Sequence, residues 1–188
     1  MKVALCHLEL SNGPEQKNIE LLEKAVRIAA EKGANWVITP ETAVQGYYFY
    51  KLEPETKVDK QPSSKLSFLL SLVKDYGLFL FLGCGEYDSE LNCNFNSCIV
   101  FEPSGEICGR HRKIISHSIG AEAWARTADV LKPIDCLNIK VGVLVCADAW
   151  YSEHAKKMQK KGAQIIIDIA AWPPTEAVSY THLTLPTT

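Results

Sequence analysis

Short apolar runs alternate with segments of helical periodicity along most of the chain. Residues 3–8 and 35–39 are apolar runs of strand length, and residues 15–32 lie between them. In that middle segment apolar side chains recur three and four positions apart, which predicts an amphipathic helix between two buried strands. The order strand–helix–strand restricts the chain to a layered α/β architecture. The apolar positions of the predicted helix are Ile19, Leu22, Val26 and Ala29.

The alternation continues toward the C-terminus with one hairpin inserted. A Pro-Ser-Gly turn at residues 103–105 separates two strand-like runs, which predicts an antiparallel pair. Crossover helices elsewhere predict parallel pairs, so the sheets are expected to be mixed. The further predicted helices cover residues 64–77 and 153–161, and the further predicted strands cover 78–84, 97–101, 106–110, 139–145 and 164–170.

Charge and composition exclude several classes of function. The formal net charge of -2 leaves no basic excess to neutralise phosphates, so we expect no nucleic-acid partner. No apolar run approaches the roughly 18–20 residues of a membrane span, and the first residues lack a secretory signal, so we expect no membrane partner and a cytoplasmic location. Among the 7 cysteines there is no CxxC pair, which indicates reduced thiols rather than disulfides. A zinc site is a weaker alternative, since its ligands would lack short chelating pairs; they would be Cys84, Cys93, Cys98 and Cys108.

Three reactive side chains each follow a predicted strand, where α/β sheets commonly build their sites. Glu41 follows a buried strand and a proline, Lys113 ends the hairpin, and Cys146 follows residues 139–145. A carboxylate beside apolar walls suits a general base, and a lysine can stabilise an oxyanion. A thiol in a turn before a helix gains N–H donors that favour the thiolate. Together they predict acyl transfer on a cysteine nucleophile. Taken singly, each has a plainer interpretation as a solvated or core residue.

Further segments place these residues in a known context. In chain order, residues 40–47, 109–113, 120–124, 145–150 and 170–173 resemble five segments of the nitrilase, or carbon–nitrogen hydrolase, superfamily. They correspond to its glutamate, lysine, second-glutamate, cysteine and pocket-bordering segments. The resemblance extends over residues 1–176. It implies an α/β fold, the α-β-β-α sandwich with mixed sheets, incomplete here at the C-terminus.

The resemblance also implies a reaction. Glu41 would act as general base, Cys146 would attack the substrate carbon, and Lys113 would stabilise the tetrahedral intermediate. The substrate would be a small amide, carbamoyl amine or nitrile, cleaved through a thioester without metal or organic cofactor. An amidase is favoured over a true nitrilase, and an acyltransferase on the same site stays open. Substrate-positioning roles are implied for Glu122, Tyr47, Ala147 and Trp172. The backbone N–H of Ala147 would help bind the oxyanion.

The C-terminal end departs from this pattern. Residues 1–176 are expected to form one partial hydrolase domain, and residues 177–188 a non-native tail; an ordinary polar C-terminus is the alternative. Members of the superfamily continue well beyond the segment that resembles residues 170–173, so we expect a truncated chain that forms a homo-oligomer only when full length. A second hypothesis is a catalytically incompetent fragment that acts at most as a binding or interaction module. His7 and His111 are interpreted as structural or surface residues.

Overall fold

The computed structural model describes residues 1–116 and 120–171. Within these ranges the strands form one sheet of five strands and one of three. The first sheet consists, in spatial order, of β1 (Val3–Leu5), β2 (Trp36–Ile38), β3 (Phe79–Asp88), β4 (Cys93–Phe101) and β5 (Ile107–Arg112). The second consists of β6 (Ile134–Cys136), β7 (Ile139–Val145) and β8 (Ile165–Ile169).

Both sheets are mixed, as the sequence predicts. In the first, β1, β2 and β3 run parallel, whereas β3, β4 and β5 are antiparallel neighbours. In the second, β7 pairs antiparallel with β6 and parallel with β8. The helices that accompany them are α1 (Glu15–Glu31), α2 (Phe49–Leu52), α3 (Ser67–Tyr76) and α4 (Ser152–Lys160). Short 3-10 helices cover Ser64–Leu66, Gly120–Glu122 and Cys146–Trp150.

These elements stack in four layers, which confirms the α-β-β-α prediction. Helices α1 and α3 bury their apolar faces on the outer side of the first sheet. The inner side of that sheet packs on the second sheet through a core of aromatic and β-branched side chains. On the far side of the second sheet, Met158 of α4 packs against Leu144. The sheet-to-sheet core includes Phe79, Phe81, Val100, Val141, Val143 and Val145.

Residues 79–82 of β3 are all apolar because their side chains alternate between two packed layers. Leu80 and Leu82 point into the helix layer, whereas Phe79 and Phe81 point into the layer between the sheets. A strand with a packed layer on each face has no solvent side, so alternation disappears from its sequence. The predicted burial of this run on both sides is confirmed, and so is the buried face of α1.

The first strand and β6 differ most from prediction, and β3, β4 and β5 each extend beyond the predicted run at one end. The first apolar run forms regular pairing only over Val3–Leu5, because its neighbour β2 is itself limited to Trp36–Ile38 before Pro40. Strand β6 was not predicted, since its 3 residues carry too short a pattern to recognise. It is held by pairing with β7, an interaction that local sequence does not encode.

Gly83 on β3 lies against the backbone of the segment that leads to Glu41. A Cβ atom at this position would lie under 3.0 Å from both the oxygen and the carbonyl carbon of Pro40. The Gly83 N–H also donates to the Thr39 Oγ1 at 2.9 Å. Absence of a side chain therefore permits the loop after β2 to rest directly on β3.

We expect Gly83→Ala to lower the free energy of unfolding by about 1–3 kcal/mol, the usual cost of overpacking a core. Urea unfolding would measure it. Gly85→Ala on the same strand is the matched control, because a Cβ atom there would lie no closer than 3.0 Å to its neighbours, which are side-chain atoms of Val58 and Trp124 rather than backbone. Equal stability of Gly83→Ala and the unsubstituted chain would contradict this account of the loop.

Candidate active site

The loop after β2 places Glu41 in the interior rather than in solvent. The Thr39 N–H donates to the Phe81 carbonyl at 3.0 Å, which keeps the chain against β3 up to the proline. Proline has no N–H to continue the ladder, so the strand stops and the next side chain turns inward. The Glu41 residue is only 2% exposed. The interpretation of Glu41 as a solvated loop residue is therefore wrong.

Three donors hold the Glu41 carboxylate. Its Oε1 accepts hydrogen bonds from Lys113 Nζ at 2.7 Å and from Asn96 Nδ2 at 2.8 Å. Its Oε2 accepts one from the Ala171 N–H at 3.0 Å. The two carboxylate oxygens thus have different partners. Oε1 faces Lys113 and Asn96, and Oε2 faces the backbone just after β8. This fixes the plane of the carboxylate.

Lys113 follows β5 and is 1% exposed, so it is not the surface charge that its basic sequence context suggested. Its Nζ also donates to Glu122 Oε1 at 2.6 Å. Burial lowers the pKa of Lys113, but the negative charges of Glu41 and Glu122 outweigh it, and the net shift is upward. The lysine therefore keeps its positive charge at neutral pH.

Glu122, at the end of the Gly120–Glu122 helix, completes the surroundings of the lysine. The Tyr47 hydroxyl donates to its Oε1 at 2.9 Å, and the Ser116 hydroxyl donates to its Oε2 at 3.0 Å. Burial raises the pKa of Glu122, yet the charge and hydrogen bond of Lys113, with those two hydroxyl donors, bring it below its usual value. Glu122 thus stays ionised, in contact with the lysine that the sequence paired with it.

Cys146 is the first residue of the 3-10 helix that follows β7, with a left-handed φ of 53°. The charged groups that act most on its thiol are the Glu41 carboxylate and the Lys113 ammonium. Burial and the charge of Glu41 raise the pKa of the Cys146 thiol, while the charge of Lys113 lowers it. The expectation that nearby N–H donors would favour the thiolate is therefore wrong: burial and the adjacent carboxylate dominate, and the thiol rests protonated.

The structure brings most of the predicted site residues together. Tyr47 contacts Glu122 and lines a cavity of about 540 Å³ that Glu41 also borders. Ala147 is buried directly after the cysteine. Trp172 lies outside the described residues. In the part of the chain that is described, no group of three or more His, Cys, Asp or Glu side chains could hold a metal ion, and no helix has the length and apolarity to cross a bilayer.

Asn96 and Asp148 are two buried polar residues of this region to which sequence reasoning gave no role. Asn96 is buried in β4 and contacts the general-base candidate directly. An amide in the middle of an otherwise apolar strand is a signal that could have drawn attention to it. Asp148 is fully buried beside the cysteine and bonds to His111. Its position two residues after Cys146 gave no indication of that partner.

Comparison with known proteins agrees with this geometry. The profile of the family described as carbon-nitrogen hydrolase matches residues 2–186. The nitrilase of Pyrococcus abyssi is 30% identical over 190 residues, which cover 99% of this chain and 69% of that protein. The omega-amidase NIT2 of Xenopus tropicalis is 29% identical over 177 residues, and the match covers 90% of this chain but 63% of the relative.

A solved structure shows the same fold. Saccharomyces cerevisiae Nit3, described as a member of branch 10 of the nitrilase superfamily, superposes with a TM-score of 0.84 at 24% identity. The match covers 97% of this chain and 69% of that one. The chain thus spans about two thirds of the length of these related proteins.

The charge of Lys113 should be measurable through the reactivity of Cys146. We expect Lys113→Gln, which keeps a hydrogen-bond donor but removes the charge, to slow iodoacetamide alkylation of Cys146 several-fold at pH 8. The reason is that the lysine lowers the thiol pKa, and alkylation follows the thiolate fraction. Peptide mass spectrometry would quantify the modified cysteine. Lys140→Gln, an exposed lysine of β7 paired with Asp135, is the control and should leave the rate unchanged.

Proposed function

Because the chain belongs to the carbon-nitrogen hydrolase family, we propose that it hydrolyses a non-peptide C–N bond of a small amide through a thioester on Cys146. The observation that carries this proposal is the buried contact of Lys113 Nζ with Glu41 Oε1 at 2.7 Å, close enough to Cys146 that both charges act on its thiol. Base, positive charge and nucleophile thus share one site. The amide class, with carbamoyl amines and nitriles as further candidates, is supported by the omega-amidase among the relatives.

In the first step Glu41 takes the proton of the Cys146 thiol as the sulfur attacks the substrate carbon. The raised pKa of the thiol requires a base to take its proton, which is the role proposed for Glu41. Negative charge then develops on the substrate oxygen. Lys113, which remains positively charged, and the backbone N–H of Ala147 are the donors that would stabilise it.

In the second step the tetrahedral intermediate expels ammonia or an amine, which receives the proton held by Glu41. A thioester remains on Cys146. Glu41, a carboxylate again, then accepts a proton from an attacking water, and the collapse of the second intermediate returns the thiol and releases the acid. Glu122 and Tyr47 position the lysine and the substrate. No step of this sequence draws on a metal or an organic cofactor.

A second candidate function is that of an incompetent fragment that binds partners without turnover. It is favoured by one observation: the chain spans 63% of the omega-amidase relative and 69% of the nitrilase relative. We also propose that the whole protein is a homo-oligomer located in the cytoplasm, a proposal that sedimentation of a longer chain and cell fractionation would test.

The function is tested by ammonia release from a panel of ω-amides, carbamoyl amines and nitriles. We expect release with at least one amide, and intact-mass detection of an acyl adduct on Cys146. Cys146→Ala should abolish both while keeping the fold, because the nucleophile is lost and little volume changes. Cys136→Ala, at a buried cysteine of β6, is the control and should retain turnover. A folded chain that forms no adduct with any substrate supports the fragment hypothesis instead.

Substitution of the other two residues separates their roles. Glu41→Gln should abolish turnover, because the amide keeps the shape but cannot accept the thiol proton. Lys113→Gln should lower kcat by about two or more orders of magnitude, as removal of an oxyanion stabiliser does. Steady-state ammonia release would measure both. Turnover near the unsubstituted rate in either variant would point to a different site.

A further inference from the structure

The Asp148 carboxylate is fully buried and accepts hydrogen bonds from two separate segments of the chain. Its Oδ2 lies 2.9 Å from His111 Nε2 and accepts the Val145 N–H at 3.1 Å. Its Oδ1 accepts the N–H groups of Ile114 at 3.0 Å and Ile115 at 2.8 Å. Because an ionised carboxylate only accepts, His111 must donate from Nε2.

The residues that bond to Asp148 are chain neighbours of Lys113 and Cys146. His111 and Ile114 lie on either side of Lys113 in the chain, and both bond to the carboxylate. Val145 immediately precedes Cys146, and Asp148 itself follows it by two positions. A single carboxylate therefore joins the segment of the lysine to the turn of the cysteine, a turn in which Cys146 holds a left-handed φ of 53°.

The need for such a connection follows from the topology. Lys113 follows β5 of the first sheet, whereas Cys146 follows β7 of the second. Backbone ladders fix residues relative to one another within a sheet, but none of the pairings among the described strands joins the two sheets. Apolar packing between sheets is weakly directional. A directional bond across the interface is the kind of contact that can set a distance between groups on the two sheets.

The charge state of Asp148 suits this task. Burial raises the pKa of Asp148, but the hydrogen bond from His111 and the backbone donors outweigh burial and bring it below its usual value, so the group remains an anion. Hydrogen bonds to an ionised acceptor are shorter and stronger than those between neutral groups. His111, which the sequence suggested as a structural or surface residue, is 2% exposed and faces this anion directly.

We propose that Asp148 and His111 are positioning residues that hold the Lys113 ammonium at a fixed distance from the Cys146 sulfur. The inference rests on the proposed function only for its consequence in turnover. The proposal predicts an electrostatic effect of the Lys113 charge on the reactivity of the Cys146 thiol. That effect can be measured without any substrate.

The test is a double-substitution cycle read out by iodoacetamide alkylation of Cys146 at pH 8. The four proteins are the unsubstituted chain, Lys113→Gln, His111→Leu, and the double variant. With His111 in place, Lys113→Gln should slow alkylation several-fold. In the His111→Leu background the same substitution should change the rate less than about twofold, because the turn that carries Cys146 is no longer tied through His111 to the segment that carries the lysine.

Two variants distinguish positioning from mere stability. His111→Gln places an amide nitrogen near the position of Nε2, so the effect of Lys113→Gln should return to its full size. Glu86→Gln alters another buried carboxylate, one bound to Arg110 and Arg112, and should leave the effect intact even where it lowers the melting temperature. His111→Ala replaces His111→Leu if the latter shows no cooperative melting transition.

The proposal is overturned if Lys113→Gln slows alkylation equally in both backgrounds, or if His111→Gln behaves like His111→Leu. Either result would leave the pair as an ordinary buried contact. Failure of the proposed function has a different signature. It would show as absent ammonia release and absent acyl adduct while the coupling between Lys113 and Cys146 persists.

Discussion

The interaction on which the site depends is the buried ammonium of Lys113 between two carboxylates. An unpaired charge in an interior is costly, and removal of one partner from a buried pair is more damaging than removal of the pair. Lys113 Nζ lies 2.7 Å from Glu41 Oε1 and 2.6 Å from Glu122 Oε1. These contacts offset the cost of burying all three charges. The loop after β2, the end of β5 and the Gly120–Glu122 helix must therefore meet at one point, and this requirement constrains all three.

The same triad explains the state of the nucleophile. Burial and the charge of Glu41 raise the thiol pKa of Cys146, the charge of Lys113 opposes them, and the net shift is upward. In the proposed mechanism, the thiol keeps its proton until Glu41 takes it as the sulfur attacks the substrate carbon. The lysine, whose charge persists, can then stabilise the oxygen that becomes negative. In that mechanism, one arrangement of charges both raises the pKa of the free thiol and stabilises the substrate oxygen.

Sequence reasoning predicted the parts of the fold that depend on local pattern. The buried face of α1, the doubly buried β3 and the ends of β2 and β7 follow from periodicity and from Pro40. Strand β6 and the contact of Asn96 with Glu41 did not, because each depends on a partner distant in the chain. The state of Cys146 was mistaken because the turn was considered without the carboxylate that packs on it.

This difference has a physical origin. Periodicity reports whether a residue faces a core, since one face of a helix or strand is buried as a unit. It does not report which buried polar groups contact one another. The pattern around Asp148 would be the same whichever donor bound its carboxylate. In a two-sheet sandwich some of the donors come from the other sheet, as His111 does, and only the packed structure selects them. The hydrogen-bond partners of buried polar residues next to a predicted nucleophile are therefore what the sequence alone predicts least well in this architecture.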